Sequence, residues 1–307
     1  DEGLIRHEKL EKYLFSFNDE FKFNKTLKVG FNFNASRQNN PYNATYVLDQ
    51  ARKVIPMVPS GTKSFFTKNP YGLDSLNQDL YYELPSIQNS GVVNPLIQLE
   101  NEWDKTKSIE YRTVTSVFAE INFLKDFSWK TTLYADISNV NTRVYKPTYY
   151  SYDLAANSAF LISPATKVNE TDDTYRKFQQ DHILSFKKKF GAHNINTTAG
   201  FTTYYFSRAS RYASVNQSST GSPIPDDKRF WYISNNFGDP QSQRSSSYQS
   251  EKATASGLLR MLYNYDGKYF LNASFRRDGS SQISPSQRSQ NFWALGGAWE
   301  IGRESFM

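Results

Sequence analysis

The sequence predicts an all-β protein: part of an antiparallel transmembrane β-barrel, about nine long strands joined by short periplasmic turns and long extracellular loops. Three observations predict it. Side chains alternate apolar and polar over long segments, several segments run to ten or more residues, and the connections are short and long by turns. Successive side chains of a strand leave on opposite faces, so alternation produces one greasy face and one wet face. A helix would scatter the same rings around its circumference.

In chain order, Tyr13, Phe15, Phe17, Phe21 and Phe23 share a face against Ser16, Asn18, Glu20 and Lys22. Leu27, Val29, Phe31, Phe33 and Ala35 repeat the pattern against Lys28, Gly30, Asn32, Asn34 and Ser36. Tyr111, Val117, Ala119, Ile121 and Phe123 then oppose Arg112, Ser116, Glu120 and Asn122. Phe127, Trp129, Leu133, Ala135 and Ile137 oppose Ser128, Lys130, Thr132, Asp136 and Ser138. Looser alternation marks strands at 178–187, 194–206, 255–265, 269–277 and 292–301. A tilted strand needs ~9–11 residues to cross a bilayer, whereas ordinary strands average ~5–6. Length therefore favours a membrane wall.

Short turns fall at Asn24-Lys25-Thr26, Lys125-Asp126, Phe190-Gly191-Ala192 and Asp266-Gly267. Long polar stretches fall between them at 38–109, 141–176, 207–252 and 278–291. Antiparallel strands then put every short turn at one end and every long loop at the other, the layout of a barrel in the outer membrane of a Gram-negative bacterium.

Composition agrees. Of 307 residues 38% are hydrophobic and 16% aromatic, so the apolar surface rests on few, large rings. Half of each strand and all loops are wet, which reconciles a mean hydropathy of −0.66 with a membrane wall. No apolar run approaches the ~18 residues of a spanning helix. The absence of Cys excludes disulfides and thiolate chemistry. The net charge of +6 is spread along the chain, Lys187-Lys188-Lys189 being its longest basic run, so nucleic acid is not an expected partner. Bacterial single-chain barrels use even strand numbers, so nine strands ending at Glu304-Ser305-Phe306-Met307 mean either that residues 1–307 are part of a longer barrel, the favoured reading, or that one strand escapes the pattern. The alternative is a secreted, soluble glycan-binding or adhesin module whose aromatic face is buried core.

The run from Tyr263 to Ser281 contains Tyr263-Asn264-Tyr265, Lys268-Tyr269 and Arg276-Arg277-Asp278-Gly279-Ser280-Ser281. It resembles a barrel motif of the SusC/RagA-type TonB-dependent transporters. Trp299-Glu300-Ile301 and Glu304–Met307 look like the next strand and turn of that family, and Asn94-Pro95-Leu96 and Lys189–Asn194 are similar to further pieces in the same order. The resemblance implies a plug domain and remaining strands outside this sequence, a SusD-like surface lipoprotein as partner, and a TonB complex reached through the N-terminal region. It implies import of glycans, oligosaccharides or peptides. The residues show no catalytic constellation, so no enzymatic activity and no cofactor is expected.

Candidate site residues follow. Tyr149, Tyr150 and Tyr152 in one long loop, and Phe230, Trp231 and Tyr232 in another, suit sugar faces or apolar peptide side chains, although loop packing, partner contact or an interfacial girdle is the more usual role of such rings. Arg276, Arg277, Asp278, Gly279, Ser280 and Ser281 form a structural motif, with the arginines ending a strand and Asp278-Gly279 turning the chain. The acidic stretch Asn169-Glu170-Thr171-Asp172-Asp173 could offer oxygens to Ca²⁺, but more often such a run is solvated. His7, His182 and His193 lack metal-binding spacing. His182 and Ser185, three residues apart on a strand, point to opposite faces and make no nucleophile–base pair.

Overall fold

A computed structural model describes residues 3, 5–41, 45–54, 62–68, 75–84 and 92–307. The chain opens with β1 (Glu11–Lys22) and β2 (Leu27–Asn39). Helix α1 (Thr45–Lys53), hairpin strands β3 (Thr62–Lys68) and β4 (Ser75–Tyr81), and helix α2 (Pro95–Glu102) lie between β2 and β5 (Thr106–Phe123). β6 (Phe127–Lys146) precedes a small hairpin, β7 (Tyr149–Asp153) and β8 (Ser158–Ser163). β9 (Lys167–Phe190), β10 (His193–Asn216), β11 (Arg244–Tyr265), β12 (Tyr269–Ser280) and β13 (Ser289–Trp299) complete the order.

Nine strands form one sheet, ordered β1-β2-β5-β6-β9-β10-β11-β12-β13, with every neighbouring pair antiparallel. All nine expected strands are in it. The short turns also stand where the sequence puts them, and their tightness shows in the backbone. Lys125 (φ 61°), Gly191 (φ 54°), Asp266 (φ 54°) and Gly267 (φ 66°) take left-handed conformations, which glycine adopts without a Cβ penalty.

The strands are longer than the alternation indicated. β9 and β10 have 24 residues each, which is ~76 Å at ~3.3 Å per residue and ~58 Å of height at a tilt of ~40°. A barrel's apolar band is only ~25 Å tall, so these strands continue well beyond it. In their upper halves polar residues such as Glu170, Asp172, Arg176, Ser207 and Arg211 enter the lipid-side face as well, and a period-two signal fades where neither face meets lipid. Much of the expected loops 141–176 and 207–252 is therefore strand, leaving the connections 147–166 and 217–243. The stretch 169–173 belongs to β9. Arg276 and Arg277 do not end a strand, and Asp278-Gly279 is not a turn. β12 runs on to Ser280, with Asp278 opposite Ser256 and Gln290, and Gly279 opposite Ala255 and Ser289. The ladders on both sides hold this segment extended.

The aromatic-rich face is open, with Phe15 62%, Leu295 70% and Trp293 80% exposed. A soluble module would bury this face. The main buried apolar cluster, Tyr145, Val168, Val215, Ile224 and Trp231, lies instead where the segment 217–243 folds onto the upper ends of β6, β9 and β10.

Candidate functional site

Residues directly opposite in an antiparallel pair share a face, so the ladders trace both faces across the sheet. One row runs Asn18, Asn32, Ser116, Tyr134, Gln179, Tyr204, Thr254 and Ser280. The adjacent row, on the other face, runs Phe17, Phe33, Thr115, Ala135, Phe178, Tyr205 and Ala253. The strand alternation thus adds up to a wall that is wet on one side and apolar on the other.

Rings collect at both borders of the apolar face. At the short-turn end Phe127 lies 5.6 Å from Phe123 and 4.7 Å from Phe186. The line continues through Phe190–His193 (5.0 Å), His193–Tyr265 (4.9 Å), Tyr265–Tyr269 (6.2 Å) and Tyr269–Trp299 (6.4 Å). At the opposite border stand Tyr13, Tyr111, Phe178, Tyr205 and Trp293, with Phe178 stacked on Tyr205 at 6.4 Å. From Phe127 to Ile137 on β6 is ten residues, ~33 Å along the strand and ~25 Å in height at a ~40° tilt. Two aromatic girdles ~25 Å apart mark the borders of a lipid-facing band.

Asp19, Gln180 and His182 interrupt this face. Thr131 Oγ1 lies 3.1 Å from His182 Nδ1 and accepts the Trp129 indole N–H at 2.8 Å. Ser185, opposite Ser128 and Thr198, lies on the wet face, so His182 and Ser185 do not meet.

The wet face carries charges of both signs, several of them paired in place. Asp136, 3% exposed at its side chain, accepts Arg112 Nε and Nη2 at 2.8 Å each and Lys177 Nζ at 3.0 Å. Asp181 accepts the Thr202 hydroxyl at 2.8 Å and Gln179 Nε2 at 2.9 Å. Arg208 reaches Asp173 at 3.3 Å between the rings of Tyr175 and Tyr248. Nearer the short turns, Phe118 lies across Gly30, where a Cβ would collide with it, and Lys28 and Lys130 flank the ring at 5.6 and 4.5 Å. This is the chemistry of a water-filled interior.

No family model matches the chain. It is 22% identical over 306 residues to the TonB-dependent receptor P3 of Formosa agariphila, covering 100% of this chain and 28% of that receptor. It is 22% identical to the TonB-dependent receptor P39 of the same organism over 215 residues, 70% of this chain and 19% of the receptor. The chain thus spans about a quarter of the length of these curated relatives. Its fold matches a chain of the RagAB peptide transporter with a TM-score of 0.69 at 18% identity, over 100% of this chain and 32% of that one. BauA, the ferric preacinetobactin receptor of Acinetobacter baumannii, matches with a TM-score of 0.50 at 11% identity, over 97% of this chain and 38% of that one. The chain folds as part of an outer-membrane barrel wall, like the matching stretch of the RagAB transporter chain. Its wet face is the lumen, its apolar face meets the lipid of the outer membrane, and its long connections lie at the outer surface.

In this wall the candidate loop aromatics divide by task. Tyr152 is buried, its ring 6.2 Å from Tyr82 and its hydroxyl donating to Asn157 at 2.5 Å. Tyr149 donates to Glu102 at 3.1 Å, and the same carboxylate takes Lys146 at 2.8 Å. Tyr150 is half-buried on the same short strand. Lys146 shares the lumenal face with Asp136, so this cluster stands above the lumen.

Trp231 is buried too, stacked on Tyr145 at 5.2 Å with 5° between the planes. Tyr145, Val168 and Val215 oppose one another on the lipid-facing side, so the segment 217–243 covers the outside of the wall above the bilayer. The Tyr145 hydroxyl donates to the Ile224 carbonyl at 2.8 Å, and burial pushes that phenol's pKa up. Lys105 fastens the segment through Asp226 at 2.7 Å. Burial works against its charge, but hydrogen bonds to Asp104 and Asp226 outweigh it and raise its pKa. Phe230 and Tyr232 remain exposed, Phe230 edge-on to Phe237 at 5.5 Å and Tyr232 beneath the Arg143 guanidinium at 4.0 Å.

The arginine motif is split by the strand. Arg276 lies on the lumenal face and donates to Asp278 at 2.7 Å, whereas Arg277, one residue on, lies on the lipid side. The Ser281 hydroxyl accepts the Ala253 amide at 2.8 Å, and the Ser280 hydroxyl accepts the Gln282 amide at 3.3 Å, so the serines finish the strand. The acidic stretch is dispersed in the same way. Asp172 takes Asn141 at 2.5 Å on one face, Asp173 takes Arg208 on the other, and Glu170 lies 2.8 Å from Arg143. These carboxylates do not converge on one point.

Proposed function

We propose that the intact protein imports oligosaccharides, glycan fragments or peptides across the outer membrane, driven through TonB and lidded by a SusD-like lipoprotein. Residues 1–307 supply barrel wall in this reading, and a plug outside them supplies the gate. The observation that carries it is the two-faced wall, girdled on its lipid side and lined with charges of both signs on its lumenal side. Its likeness to TonB-dependent receptors and to a peptide transporter supports the same reading.

Paired charges of both signs, Arg112 with Asp136 and Arg208 with Asp173, suit peptides, whose own ends carry both charges. Of the loop aromatics, Tyr149 and Tyr150 are the better placed for capture because they stand over the lumen. Phe230 and Tyr232 face the outside of the wall, where they meet a neighbouring protein or the cell surface. The test is uptake of fluorescent oligopeptides and oligosaccharides by cells with and without the gene, each with and without a protonophore. Uptake that needs both the gene and the proton gradient supports the proposal. Uptake of both substrates undiminished by the deletion contradicts it.

A further inference from the structure

We propose that Arg37, Arg176 and Arg277 bind the phosphate groups of an anionic glycolipid in the outer leaflet of the membrane that this wall spans. The inference rests on the lipid-facing wall and not on any choice of substrate.

All three arginines lie on the apolar side. Arg37 stands opposite Tyr13 and Tyr111, Arg176 opposite Ile137, and Arg277 opposite Gly257 and Asn291. Their heights agree. Arg37 is eight residues above Val29, which pairs with Phe21, while Arg176 is ten above Phe186 and Arg277 eight above Tyr269. At ~3.3 Å per residue and ~40° of tilt, each stands ~20–25 Å above the girdle at the short-turn end. That is the outer border of the band, among the rings of the upper girdle. A guanidinium there has its stem in hydrocarbon and its head at the level of the lipid phosphates.

The protein leaves these charges unmatched. None of the three makes an ion pair within 4.0 Å among the described residues. The carboxylates at this level of this face are engaged elsewhere. Glu11, which feels Arg37 electrostatically, pairs with Lys9 at 3.1 Å, and Glu251 accepts Gln249 Nε2 at 2.6 Å. On the lumenal face the arginines at comparable heights, Arg112, Arg208 and Arg276, each have a carboxylate, as does Lys177, whereas Lys12 and Lys252 make no ion pair within 4.0 Å among the described residues. At the short-turn border Lys188 has a carboxylate, Asp126 at 3.3 Å. Unpaired guanidinium groups therefore occur on the lipid side at the outer border, each about three strands, or ~14 Å, from the next. A guanidinium fits a phosphate by two parallel hydrogen bonds, and phosphate esters are the anions present at that depth.

The full-length barrel is reconstituted in phosphatidylethanolamine vesicles containing either diphosphoryl lipid A or the same lipid A with its phosphates removed, and equilibrium unfolding is measured. Diphosphoryl lipid A is expected to shift the folding equilibrium at least about tenfold toward the folded barrel, the scale of one charge-assisted hydrogen bond. The triple variant Arg37→Gln, Arg176→Gln, Arg277→Gln is expected to lose that shift. Arg276→Gln, on the lumenal face one residue away, is expected to keep it. Equal stability of the parent in the two lipids overturns the proposal, and so does a phosphate-dependent shift that persists in the triple variant. If the triple variant does not fold, the Arg277→Gln single variant is read the same way. A parent that fails to insert in either lipid would instead contradict the membrane wall itself.

Discussion

Leu133→Arg places a charge at the middle of the lipid-facing band. Leu133 lies on β6 between Trp129 and Ile137 of the same face, is 49% exposed, and stands opposite Val117 and Gln180. No acid is near enough to help: Asp19, in the same row, is three strands away, or ~14 Å at ~4.8 Å per strand. An arginine at the bilayer midplane of a barrel costs ~2–4 kcal/mol, which at ~1.4 kcal/mol per tenfold lowers the folding equilibrium constant roughly 30- to 700-fold. Thr132→Arg is the matched control. Its side chain enters the lumen opposite Asp181, where an arginine gains a counter-ion, and its effect is expected within about 1 kcal/mol of the parent. Denaturant unfolding of the full barrel from phospholipid vesicles gives both values. Equal costs for the two variants, or a larger cost at Thr132, would refute the assignment of the faces.

Phe31→Arg lies on the same lipid face but directly opposite Asp19, so it is expected to cost less than Leu133→Arg in the same assay. Asp136→Ala strands Arg112 and Lys177; because both cations are more than a third exposed, the loss of stability by denaturant unfolding is expected at about 1–2 kcal/mol, not that of a fully buried pair. Trp231→Ala removes the ring stacked on Tyr145, and limited proteolysis is expected to cut within 217–243 while the barrel's unfolding midpoint stays near the parent's. The raised pKa of Lys105 means that its contribution to docking the same segment is complete below its unfolded value of ~10.4 and is lost as pH rises through the higher folded value. Protease cleavage of 217–243 should therefore rise at strongly alkaline pH in the parent, and already occur at neutral pH in Lys105→Met.

The membrane-crossing part of the fold was legible because lipid imposes a rule on every second residue. Phe127 to Ile137 had to alternate, and did. Where β9 and β10 rise into water the rule lapses, so Lys167–Asp173 reads as a loop although it is strand. The arginine motif misled for a related reason. Asp278-Gly279 has turn composition, and only the ladders to β11 and β13 keep it extended. The girdles were invisible in one dimension because Phe127, Phe186, His193, Tyr265 and Trp299 come from different strands and meet only through register. That Trp231 and Tyr152 pack rather than capture could not be read off because their partners Tyr145 and Tyr82 are about 70 or more residues away in sequence.

The most direct test of the wall is a depth and accessibility scan. The chain contributes no cysteine, so single cysteines replacing Leu133 and Thr132 in the full barrel can each carry a nitroxide label in vesicles. The account predicts that the label at 133 is relaxed by oxygen dissolved in lipid and shielded from a water-soluble nickel complex, and that the label at 132 shows the reverse. Labels at both positions relaxed equally by the nickel complex would contradict it.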